Sequence, residues 1–178
     1  FTRHHIPFQV AAGLAFYDRT EIRDLLAYLR LIENPVDTIA FARVVNRPAR
    51  GIGKTSQNKL TAWATENGVG PMEAARRADR ITSLTKTAKI KLKAFVGIMD
   101  TFSLANAGSV SDLLKKIVEK TAYSRTWSAA SSEQAITKQA NVEELVNAAA
   151  QYDEANADDP SITGFLETTA LASDVDAV

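Results

Sequence analysis

The sequence predicts an all-α protein, a compact set of short helices around one core with a single short strand near its start. Three observations predict it. Apolar residues recur at helical spacing through most of the chain. Asp, Ser and Thr stand before these runs, and Gly, Asn or Pro after them, where helices are capped and stopped. Alternating apolar and polar residues, the mark of a half-buried strand, are confined to Phe8 to Ala11, ended by Gly13.

The elements follow in order. Arg19 to Ile32 carries Ile22, Leu25, Leu26, Leu29 and Ile32 on one helical face, and Asn34-Pro35 stops it. Asp37 is placed to cap a second helix that runs through Val45 and breaks at Pro48, Gly51 and Gly53. Thr55 to Glu66 is the next helix, ended by Asn67-Gly68. Pro71 opens a short helix through Arg77. Thr85 to Phe102 is expected to bury Ala88, Leu92, Phe95, Met99 and Phe102. Ser111 is expected to cap a helix holding Leu113, Leu114, Ile117 and Val118. Ser131 or Ser132 opens a long helix with Val142, Leu145, Val146, Ala149 and Tyr152 inward. After the turn Asp158-Asp159-Pro160, Ser161 caps a last helix with Ile162, Phe165 and Leu166. This is helix-on-helix packing around one core.

Composition narrows the chemistry. At 178 residues with 46% hydrophobic content, the chain can bury a core without staples. It has no cysteine, which excludes disulfides, thiolate metal sites and cysteine nucleophiles. No apolar run approaches the roughly 20 residues that span a bilayer, so no membrane partner is expected. Arg3, His4, His5 and Pro7 interrupt any secretory pattern at the start, and a cytoplasmic protein is the default. Phe1 stands where an initiator methionine would, which predicts a piece of a longer protein.

The charge is balanced in total and lopsided in place. Phe1 to Thr126 holds 20 basic and 11 acidic residues, a balance of +9, and Trp127 to Val178 holds one lysine against 10 acids. Arg43, Arg47, Arg50, Lys54 and Lys59 occur in a stretch without a single acid. Arg76 to Lys93 holds seven bases and only Asp79. Such clusters suit a polyanion or, more blandly, a solvated helix face.

The segment Arg50-Gly51-Ile52-Gly53-Lys54-Thr55 ends in Gly-Lys-Thr, as a nucleotide-binding phosphate loop does. That loop needs a glycine where Pro48 stands, and a buried strand where the lead-in is helical. A better reading is a helix-hairpin-helix between Ile39 to Val45 and Thr55 to Glu66. The glycines permit positive φ and close approach of the backbone to a ligand, and Ile52 between them plugs into the core. The amides of Gly53, Lys54 and Thr55 then face outward at a helix N-terminus, which attracts anions. Thr55 and Ser56 add hydroxyls, and Arg50 and Lys54 add charge. Such a device grips a phosphate without reading bases; the plain alternative is a glycine turn between core helices.

Other candidates read as structure. His4-His5 lacks a third metal ligand. Glu143-Glu144 suits a solvated helix face, and Trp63 and Trp127 suit the core. Phe16-Tyr17 suits a packing corner, and Asp153, Glu154, Asp158 and Asp159 suit an acidic surface without calcium-loop spacing. No catalytic residue and no metal ligand is assigned.

The run Gly13 to Ile32, G-L-A-F-Y-D-R-T-E-I-R-D-L-L-A-Y-L-R-L-I, resembles superfamily 1 DNA helicases of the UvrD/PcrA/Rep type, whose pattern there is G-G-x-x-F-[FY]-x-R-x-E-I-K-D followed by A-Y-L-R-L. Phe41 to Gly53 is similar to their R-V-[IV]-N-x-P-x-R-G-I-G, and Phe165 to Asp176 to their F-L-E-x-x-A-L-x-S-D-x-D. The three anchors come in the family's order across nearly the whole chain. Ala12 departs from it, where the family usually has the first glycine of a pair.

The resemblance implies the end of subdomain 2A at residues 1–12 and subdomain 2B at residues 13–178. It implies a parent with ATP-driven 3′-to-5′ DNA unwinding in repair or replication, using ATP and Mg²⁺ held elsewhere; this fragment lacks the ATPase site and needs no cofactor. It implies duplex DNA at a single-strand/double-strand junction, the remaining helicase subdomains and repair proteins as partners. Family contacts to duplex phosphates fall on Arg23, on Ser56, and on a lysine among Lys86, Lys89 and Lys91, of which Lys89 is taken. With the hairpin, the expected DNA-binding set is Arg23, Arg50, Gly51, Gly53, Lys54, Thr55, Ser56 and Lys89. The competing reading is a protein-interaction and autoinhibitory module of the same motor, with the acidic C-terminal section docking and the hairpin merely structural. An independent enzyme would need a nucleophile–base pair, metal cluster or cofactor loop, and the chain offers none of these.

Overall fold

The computed structural model describes residues 15–176. Helix α1 (Thr20–Glu33) is followed by α2 (Thr38–Val44), and a loop over 45–53 leads into α3 (Lys54–Glu66). Then come α4 (Pro71–Arg76), a 3₁₀ turn (Ala78–Arg80) and α5 (Lys86–Met99). The rest comprises α6 (Leu104–Ala107), α7 (Val110–Thr121), a second 3₁₀ turn (Tyr123–Trp127), α8 (Ser132–Ala155) and α9 (Ile162–Asp176). The described residues are helical and contain no strand. The expected strand Phe8 to Ala11, the boundary between residues 12 and 13 and the pair His4-His5 lie outside them.

The first helix is the axis. Ile22, Leu25, Tyr28 and Leu29 have no exposed surface, and Leu26, Ala27 and Leu31 are nearly as buried. A helix apolar on so many sides must be surrounded. Helix α2 packs along it on one side, and α7, α8 and α9 pack around the rest. A second tier, with α3 against α4 and α4 against α5, joins through Phe41 of α2, which meets Phe95 of α5 edge-on at 5.9 Å. Ala88, Leu92, Phe95, Met99 and Phe102 are all buried, as their spacing predicts.

The helix starts obey capping chemistry. Asp37 accepts from the Ala40 amide at 2.9 Å, Thr85 from Ala88 at 3.1 Å, Ser131 from Gln134 at 3.2 Å and Ser161 from Gly164 at 2.9 Å. One start differs from expectation. Ser109, rather than Ser111, caps α7 by accepting from Asp112. Ser111 lies inside the first turn, and a residue from α8 reaches that end: Asp153 accepts from the amides of Val110 and Ser111, each at 2.9 Å. Asp153 is thus a tertiary cap and not part of a free acidic surface. Its carboxylate satisfies two of the donors that a helix start leaves open.

Two buried acids tie α1 to its neighbours. Glu21 accepts from the side-chain amide of Asn141 at 2.8 Å and lies 3.5 Å from the Lys138 ammonium, both on α8. Asp24 has no exposed surface. It pairs with Arg43 at 2.8 Å and Arg47 at 3.5 Å, and accepts from the Tyr123 hydroxyl. The Arg43 contact is an ion pair rather than an aligned hydrogen bond. Burial, then the hydrogen bond to Asp24, pushes the Tyr123 hydroxyl far up, so this phenol stays a donor.

Candidate nucleic-acid interface

The loop between α2 and α3 is folded on itself. The Asn46 side-chain oxygen accepts from the amides of Arg50 at 2.7 Å and Ile52 at 3.1 Å. Arg47-Pro48 is a cis bond. Ile52 is wholly buried, the plug that an apolar residue between two glycines suggests. The Gln57 side chain donates to the Ile52 carbonyl at 2.9 Å, closing the loop onto α3.

Arg50 is directed into the fold. Its guanidinium donates to the carbonyls of Val44 at 2.7 Å and Val45 at 3.1 Å, and to the Tyr28 hydroxyl at 2.6 Å. It lies 4.9 Å above the Phe95 ring. The fork of donors therefore adds to the backbone hydrogen bond that the Val44 carbonyl accepts from Arg47 at 3.0 Å and reaches the Val45 carbonyl at the end of α2. Tyr28 in turn donates to the Arg47 carbonyl, and burial raises its pKa.

The two glycines differ. Gly51 has φ +74°, the left-handed region that only glycine enters without strain. Gly53 has φ −73° and ψ 172°, which any residue can adopt. The positive φ that the motif suggests for its glycines thus belongs to Gly51 and not to Gly53. Gly51 is also crowded: a Cβ there would lie 2.3 Å from the Lys91 ammonium, whereas one on Gly53 would meet nothing within 4 Å.

Gly53 is the N-cap of α3 and has no side chain to cap with. The amides of Lys54, Thr55 and Ser56, the first three of the helix, face outward without that partner. Lys54 and Thr55 are exposed, and Ser56 is half-buried beside them. Lys54, Thr55 and Ser56 thus bring three amides, two hydroxyls and an ammonium to the first turn of one helix, where the helix dipole favours an anion.

The other expected residues are distributed around it. Of the run Glu21-Ile22-Arg23-Asp24, the two acids and the isoleucine are buried and only Arg23 is exposed. Among the lysines of α5, Lys93 pairs with Asp79, Lys89 points its ammonium at the Asp79 carbonyl at 3.4 Å, and Lys86 is exposed. Lys91 is the lysine that lies against Gly51 of this loop. Sequence spacing offered one route to it: Lys91 and Phe95 share a helix face four residues apart, and Phe95 is the ring beneath Arg50. The lead-in to the Gly-Lys-Thr run is helix α2, as the sequence predicts, so the surroundings of a phosphate loop are missing here.

The whole chain, residues 1–178, matches the model of the UvrD-like helicase C-terminal domain, and the chain belongs to that family. It is 34% identical over 170 residues to the ATP-dependent DNA helicase PcrA of Bacillus subtilis, covering 95% of this chain and 23% of the relative. It is 32% identical over 191 residues to the ATP-dependent DNA helicase UvrD1 of Mycobacterium tuberculosis, covering 99% of this chain and 25% of the relative. A third relative, PcrA of Leuconostoc citreum, is 32% identical over 178 residues, covering 97% of this chain and 24% of the relative. The chain therefore spans about a quarter of the length of the curated relatives it matches.

Proposed function

We propose that this chain is the duplex-DNA-binding regulatory part of an ATP-dependent 3′-to-5′ DNA helicase that works in repair or replication in the cytoplasm. Residues 1–12 end subdomain 2A and residues 13–178 form subdomain 2B. The parent carries the ATP and Mg²⁺ site elsewhere, and the isolated chain neither binds nor hydrolyses ATP. Its partners are duplex DNA at a single-strand/double-strand junction, the other helicase subdomains and repair proteins.

One observation carries this reading: the uncapped start of α3 on a loop pinned by Ile52 and Arg50. Gly53, Lys54, Thr55 and Ser56 form the phosphate contact of a helix-hairpin-helix. Arg23 adds a second cation from α1, and the lysines of α5, Lys89 among them, add a third. Gly51 and Arg50 serve the contact by shaping the loop. Amides and hydroxyls meet only the backbone of DNA, so sequence matters little.

The test is a titration of labelled duplex at several salt concentrations, beginning low. Three or four phosphate contacts give a slope of roughly −3 to −4 in log K against log salt. Gly53→Asp separates function from folding. Its backbone angles suit aspartate, its Cβ has room, and the new carboxylate caps the amides that the phosphate would use. Stability is kept and duplex binding is lost. Equal binding by Gly53→Asp, or a preference for one DNA sequence, would overturn the clamp in favour of a protein-interaction module.

A further inference from the structure

A groove of about 830 Å³ lies beside the hairpin. One wall is the loop 46–50. The other is the end of α7 with the 3₁₀ turn that follows it, and α5 forms the floor. Five cationic side chains line it, Arg47, Arg50, Lys91, Lys120 and Arg125, and no acid does. Thr121 and Thr126 add hydroxyls.

Two of these cations are used by the fold, Arg50 at the end of α2 and Arg47 beside Asp24, and the other three are not. Elsewhere Arg76 pairs with Asp100, Arg77 with Glu73, Lys93 with Asp79 and Lys115 with Asp112. Lys91, Lys120 and Arg125 have no carboxylate within ion-pair reach among the described residues. Gathering like charges is unfavourable unless an anion joins them.

The groove is also built. Ala122 takes a left-handed conformation, φ +52°, ending α7. The chain then turns so that Tyr123 goes inward while Arg125 and Thr126 stay exposed on the groove. Buried Asp24 holds both walls at once: its carboxylate pairs with Arg47 on one and accepts from Tyr123 on the other. Apart from Pro48 and Ile98, the accessible apolar lining consists of small side chains, Ala49, Ala94 and Ala122, and Phe95 is fully buried beneath Arg50. That favours a flexible chain of spaced anions over a peptide anchored by apolar side chains.

We propose that this groove is a second nucleic-acid site, which takes the phosphodiester backbone of a strand on Lys91, Lys120 and Arg125. It deepens the reading of the hairpin as a phosphate contact and rests on it, because Lys91 lies at once in the groove and against Gly51. The strand held there is either a continuation of the gripped duplex or a single strand leaving the junction, and both present the same chemistry.

The experiment uses the 178-residue chain, a Lys120→Ala/Arg125→Ala double variant and Lys54→Ala. Each is titrated with duplex and with single-stranded oligonucleotide over a range of salt. Both groove residues are exposed, and unchanged melting controls for folding. The double variant should flatten the salt slope by about 2 and Lys54→Ala by about 1. Flattening with the duplex alone assigns the groove to duplex, and with the single strand alone to a separated strand. If Lys54→Ala flattens the slope and the double variant does not, the groove inference falls and the hairpin reading stands. If neither variant changes the parent's slope, both fall. Polyglutamate that competes as well as nucleic acid of equal charge would overturn the proposal in favour of an acidic protein partner.

Discussion

Arg50 donates to the hydroxyl of Tyr28 at 2.6 Å, joining the loop ahead of α3 to the most buried helix of the fold. The same guanidinium caps two carbonyls of α2, so a residue that the sequence offers to DNA is occupied by its own backbone. Arg50→Ala is expected to destabilise the chain by about 2–3 kcal/mol, since it strips charged hydrogen bonds from acceptors on the buried residues Tyr28, Val44 and Val45. Arg50→Lys should recover little, because an ammonium cannot reproduce the fork. Urea midpoints check this. A variant that loses DNA binding at unchanged stability would instead make Arg50 a direct phosphate ligand.

Gly51 and Gly53 should separate cleanly. Gly51→Ala is expected to cost about 1–2 kcal/mol for a left-handed alanine, and more where the Lys91 ammonium must move aside. Gly53→Ser should change stability by only a few tenths of a kcal/mol. Thermal melts of the two variants decide it, and equal melting would refute the conformational distinction.

Ala122 is the converse case. It is the only non-glycine residue at positive φ among those described. Ala122→Gly should stabilise the chain by up to about 1 kcal/mol, a rise in Tm of about 2–4 °C for a domain of this size. A fall in Tm would mean that the alanine methyl packs well enough to outweigh its strain.

Asp153 holds the start of α7 from α8. Asp153→Ala is expected to cost about 1 kcal/mol, the usual worth of a helix cap. Asp153→Asn, which keeps an acceptor, should lose less. Protection of the Val110 and Ser111 amides from hydrogen exchange should drop in the alanine variant and leave α3 unaffected.

Acid should weaken the contact between α1 and α8. Burial raises the Glu21 pKa, but the hydrogen bond from Asn141 and the Lys138 ammonium outweigh it and hold the carboxyl below its ordinary value. A depressed carboxylate stabilises the fold fully above its unfolded pKa, and that contribution is lost as pH falls through the folded value. Stability measured from about pH 6 down to about pH 3 brackets the carboxylate range. The loss should be shallower in Glu21→Gln. An identical pH profile in that variant would show that other carboxylates dominate.

Most of the helices were legible in the sequence because their causes are local. Apolar spacing placed the buried faces of α1 and α5, and single residues such as Asp37, Thr85 and Ser161 cap amides three residues on. The start of α7 lies two residues earlier than expected, at the local cap Ser109, and its second cap comes from Asp153, 42 and 43 positions away. No local pattern carries that contact.

The same division holds at the candidate interface. The run Gly51-Ile52-Gly53 and its basic surroundings determined by themselves that a turn with a buried plug precedes an anion-friendly helix start, because that depends on residue types next to one another. Only the tertiary structure decided which basic residues are free. Burying Tyr28 and Phe95 brings Arg50 inward, the Asp79 carboxylate pairs with Lys93, and Lys91 is left against Gly51. A side chain's charge is written in the sequence. Whether that charge is neutralised depends on which groups packing brings within a few ångströms, and those come from helices far apart in the chain.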